Sequence, residues 1–133
     1  MSIIENYPRF LRNVLLVDAA TCVATGLLMT FGAGLLAGFT QLPPELLRSA
    51  GISLFPIAAF IAFVATRAEL PRTGVWLVIL GNAAWVAASL WVIFGGAINP
   101  NALGYAFVAV QALAVAVLAE LEFTGVRKLS AVA

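Results

Sequence analysis

Apolar positions fall into four long runs separated by short breaks that carry prolines or charge. The runs cover about 11–32, 50–66, 75–97 and 102–121, each near the ~20 residues a helix needs to cross a hydrocarbon layer. Pro43 and Pro44, Pro71, and Pro100 within "INPN" mark the breaks. Pro44 and Pro71 suit a first helical turn, where a missing N–H costs nothing. The pattern predicts an all-α fold with one domain, residues 1–133, built as a polytopic four-transmembrane-helix bundle. Between the first two runs, Leu35, Leu36, Phe39, Leu42 and Leu46 predict a short segment lying at the membrane interface. Pro56 predicts a kink in the second span.

The charged residues sit between the runs and give the chain a direction. Arg9 and Arg12 precede the first run, Arg67 and Arg72 lie between the second and third, and Arg127 and Lys128 follow the fourth. Arg48 is the one base on the opposite side. Six against one places both termini in the cytoplasm by the positive-inside rule, with a bacterial inner membrane as the assumed location. The first run is expected to be retained rather than cleaved as a signal peptide, because Asp18 interrupts it and no A-x-A site ends it.

A shift of 64 residues lays "VLLVDAATCVATGLLMTFGA" (14–33) over "VILGNAAWVAASLWVIFGGA" (78–97), with seven of twenty positions identical. Asp18 falls on Asn82 and Thr25 on Ser89. The match suggests two tandem helical hairpins related by an axis along the membrane normal. It also puts a polar residue at the same depth in both helices.

An ionisable group inside a span is costly and faces a protein interior or a water-filled cavity. Asp18 lies about 9 Å along the helix from Arg12, at about 1.5 Å per residue, so it belongs to the cytoplasmic half. Thr21, Cys22 and Thr25 share its face by helical spacing, and Trp85 and Ser89 share that of Asn82. Gln111 lies mid-span on the fourth run, and its face also holds Gly104, Val108, Val115, Leu118 and Glu122. Asp18, Thr21, Thr25, Asn82, Ser89 and Gln111 therefore form the candidate intramembrane cluster. Interhelical hydrogen bonding is its simplest role, with Asp18 tied to its neighbours near Asn82. Ligand or ion binding is the sharper one. Trp76 fits an aromatic belt at the cytoplasmic interface; Trp85 and Trp91 lie deeper and are expected to pack, although a flat ligand such as a quinone could stack on them. Gly34 and Gly38 make a weak GxxxG pattern.

Composition narrows the chemistry. Of 133 residues, 63% are hydrophobic and 10% charged, with a net charge of +1; the mean hydropathy is +1.07. Lipid is the expected solvent for most of the surface, and no basic tract points to nucleic acid. The chain has no histidine and one cysteine, Cys22. Haem ligation, cysteine-pair redox chemistry and the usual proteolytic centres lack their residues, and no phosphate-binding glycine loop is present. No metal, cofactor or enzymatic activity is expected.

These residues describe a small non-catalytic integral membrane protein. The expected role is an accessory or self-associating subunit, recognised through its lipid-embedded helix faces, with lipids and a homo-oligomer or larger membrane complex as partners. The alternative is a small ion- or proton-coupled transporter, or a ligand-binding membrane protein, that uses Asp18. In span count and in the acidic residue of its first span, the chain resembles the small multidrug-resistance exporters. That resemblance implies a transporter with Asp18 as the exchanging carboxylate. The six-to-one charge bias departs from those exporters that work as antiparallel dimers.

Overall fold

The computed structural model describes residues 3–132, with side chains over 8–129. It contains five helices: α1 (Ile3–Phe31), α2 (Ala33–Thr40), α3 (Pro44–Ala65), α4 (Arg72–Phe94) and α5 (Ala102–Val132). All but α2 are long and apolar enough to cross a membrane. The segment between the first two spans folds as the short helix α2, with Leu35 and Phe39 exposed. Pro44 opens α3, so that helix starts earlier than the apolar run from position 50. At the other end, α5 continues past Leu121 and carries Glu122 into the helical core.

The helices do not pack evenly. α1 lies along α3, α4 along α5, and α1 also along α5, whereas α3 and α4 meet only briefly and α1 and α4 do not touch through their backbones. The close α1–α3 contact depends on two glycines. A Cβ on Gly51 would come within 2.8 Å of Met29 Cβ and of the Thr30 backbone, and one on Gly26 within 3.1 Å of the Gly51 carbonyl. Small residues allow such close approach, which drives helix association where lipid removes the hydrophobic force between helices. Gly34 and Gly38, the GxxxG pair, have nothing near them. The tight seam lies between the first and second spans.

The two ends of the helices differ. At one end the Arg12 guanidinium of α1 donates to the carbonyls of Ala65, Arg67 (2.8 Å) and Ala68 (3.3 Å), where α3 stops. These carbonyls have no partner within the helix, and the planar fork of arginine reaches several at once. Trp76 of α4 meets Phe123 of α5 edge to face at 5.6 Å, and Arg127 lies over the same Phe123 ring. Leu11 packs where a side chain on Gly125 would stand. Arg12, Arg67, Arg72 and Arg127 are therefore gathered at one end.

At the other end, Arg48 pairs with Glu45 at 2.8 Å. There the chain leaving α4 is tied to α2: Asn101 donates through its amide side chain to the Phe39 carbonyl (2.8 Å) and through its backbone to Thr40 (3.1 Å). Asn101 Oδ1 also accepts the Gly104 N–H, capping α5.

Arg12→Ala should lower stability by about 1.5–3 kcal/mol, the range for hydrogen bonds made by a charged donor. Thermal unfolding in detergent reads this, and Arg12→Lys should restore less than half of the loss. Equal stability of wild type and Arg12→Ala would contradict the cap.

Candidate functional site

Polar groups from three helices converge at the level of Asp18. Its side chain comes from α1 and is 2% exposed; Asn82 comes from α4 and Glu122 from α5, the latter fully buried. Asn82 uses both hydrogens of its amide here. Nδ2 donates to Asp18 Oδ2 at 2.8 Å and to Glu122 Oε1 at 2.9 Å. The Asp18–Asn82 bond joins the two positions aligned by the 64-residue shift. Cys22 Sγ lies 3.8 Å from Asp18 Oδ1, one helical turn on. The Glu122 carboxyl lies beside that of Asp18. Glu122 Oε2 has no hydrogen-bond partner among the described residues.

A second polar group lies deeper. Trp85 Nε1 donates to Gln111 Oε1 at 2.6 Å, and Gln111 Nε2 donates to Ser89 Oγ and to the Val108 carbonyl, both at 2.8 Å. Ser89 Oγ in turn donates to the Trp85 carbonyl. Every N–H in this set is used, as a low-dielectric setting demands. Trp85 thus has a polar role as well as a packing one. Trp91 is largely exposed, with no place in either group.

Between the two groups lies a cavity of about 390 Å³, within the range of small-molecule sites. All four long helices line it. Asp18, Asn82, Trp85 and Gln111 supply the polar wall, and Leu54, Ile61, Val78 and Val115 are among the apolar surroundings. The space opens at the seam where α3 and α4 separate: Pro56, Ile57, Phe60, Leu77 and Gly81 line it and are exposed on the outer face. A Cβ on Gly81 would meet nothing within 4 Å. Trp85 and Gln111 also border a smaller space of about 130 Å³ beside Met29, Leu42 and Val92.

Of the six candidates, Asp18 and Asn82 join one group and Ser89 and Gln111 the other. Thr21 and Thr25 line the cavity without bonding to either group's side chains; Thr21 donates to the carbonyl of Asp18 on its own helix. Glu122 and Trp85 were outside the candidate set. The signal for Glu122 was its place on the Gln111 face. For Trp85 it was the shared face with Asn82 and Ser89.

No group of three or more His, Cys, Asp or Glu side chains able to hold a metal occurs among the described residues. In comparison with known proteins, no family model matches the chain, no curated protein matches it, and no solved structure matches it.

Removing the bridge should be costly. Asn82→Leu leaves two buried carboxyls without their shared donor and should destabilise the protein by about 1–3 kcal/mol. Glu122→Gln places an N–H beside Asp18 and should be neutral or stabilising. Thermal unfolding of both variants in detergent checks the pair; Glu122→Gln as damaging as Asn82→Leu would contradict this arrangement.

Proposed function

We propose that this chain is a non-catalytic, multi-pass protein of the bacterial inner membrane that holds a membrane-dissolved small molecule in the cavity between its four long helices. The apolar part of the ligand lies against α3 and α4, and its polar end meets Asp18, Asn82 and Gln111. The carrying observation is the cavity itself: about 390 Å³, open at the α3–α4 seam and polar on one wall. Ligands enter from the lipid phase, because the lining residues exposed on the outer face belong to spans rather than to loops.

The gathering of Arg12, Arg67, Arg72 and Arg127 at one end supports a bundle with both termini in the cytoplasm, by the positive-inside rule. Asp18 then lies in the cytoplasmic half. The accessory-subunit reading has weaker support, since exposed apolar helix faces are what lipid contact alone requires.

Native mass spectrometry of the protein extracted gently from its own membrane tests this. Wild type should carry one retained small molecule per chain. Gly81→Phe, which fills the open side of the cavity, should emerge without it and with unchanged thermal stability. A wild-type chain that emerges bare, or equal retention by both proteins, would overturn the reading; a second, different subunit would favour an accessory role.

A further inference from the structure

Hydrogen-bond accounting along the cavity wall restricts what the polar end of the ligand can be. The nitrogen donors are all committed within the protein. Asn82 Nδ2 gives its two hydrogens to Asp18 and Glu122, Gln111 Nε2 gives its two to Ser89 and Val108, and Trp85 Nε1 gives its one to Gln111. Thr21 turns its hydroxyl onto its own helix. Among the described residues, the Thr25 hydroxyl is the one lining oxygen donor left.

Acceptors remain in excess. Asp18 receives one good hydrogen bond and one weak contact from Cys22, and the Glu122 carboxyl lies beside it; a carboxylate has about four lone-pair sites, so at least one is left. Asn82 Oδ1 accepts none among the described residues, and Gln111 Oε1 uses one of its two lone pairs. A head group offering only acceptors would set lone pairs against lone pairs and lose its hydration without replacement. A negatively charged head would also face the Asp18 carboxyl.

We infer that the ligand is an apolar molecule whose polar end donates hydrogen bonds and carries no negative charge, as an alkylammonium or an alcohol does, seated on Asp18. The inference rests on the cavity reading above and gives it a ligand class. It sets aside quinones, whose heads only accept, and anionic lipid headgroups. An ammonium head has three donors and a charge opposite to that of a carboxylate, so it should hold more tightly than a hydroxyl.

Four ten-carbon probes test this, each measured by equilibrium dialysis against protein in phospholipid nanodiscs, with empty discs subtracted: decylamine, 1-decanol, decyl methyl ether and decanoate. Decylamine and decanol should bind saturably to wild type, the amine more tightly, with ether and decanoate at least tenfold weaker. Gly81→Phe should abolish saturable binding of all four. Asp18→Asn exchanges an acceptor for an amide that can donate, so the gap between amine and ether should shrink to less than threefold. Ether or decanoate binding wild type as tightly as the amine, yet lost in Gly81→Phe, would overturn the ligand class and leave the cavity reading standing. No difference between wild type and Gly81→Phe for any probe would overturn both.

Discussion

The amide of Asn82 is the group on which the interior depends. In hydrocarbon a polar side chain has no water to fall back on, so it must find its partners inside the protein. Asn82 supplies one N–H to α1 and one to α5 from a helix whose backbone does not reach α1. α1 and α4 are therefore linked through a polar side-chain bridge rather than by close packing. That has a geometric consequence. Two helices joined by side chains at arm's length leave room between them, and the cavity occupies that room.

The chain divides two tasks between its helices. Gly26 and Gly51 let the α1 and α3 backbones come together, which makes that pair the closely packed side of the molecule. Arg12 closes the same pair at its end by capping α3. α4 is held differently: along α5 by packing, and to α1 by Asn82. Since α3 and α4 share little beyond their connecting turn, this seam is where the cavity opens on the outer face.

Much of this was legible in the sequence. Run length and proline placement located the four spans, since both follow from bilayer thickness and backbone chemistry. The 64-residue shift pointed from Asp18 to Asn82, because a duplicated polar position at equal depth has few other partners available. Glu122 was not selected, because it lies just past the end of the apolar run, whereas the helix continues. α5 runs on to Val132, and burial of Glu122 follows from neighbours on other helices that no local pattern encodes. Pairing was also beyond reach. Gly51, a single glycine on the second span, decides which backbones approach, and no local pattern marks it out.

Gly81 separates a structural account of the site from a functional one. The shift that aligns Asp18 with Asn82 sets Gly81 against Val17, so the α4 helix has a bare backbone where α1 has a side chain. Glycine inside a helix is less favourable than alanine by roughly 0.5–1 kcal/mol. Here no close approach requires it, since a Cβ would stand in open space. The glycines of the α1–α3 seam are accounted for by packing, and Gly104 by the Thr40 carbonyl against which its Cβ would stand. Stability alone would favour filling position 81 and, with it, the mouth of the cavity. Leaving that mouth open beside Asp18 and Trp85 is what the proposed entry of a ligand from the membrane requires.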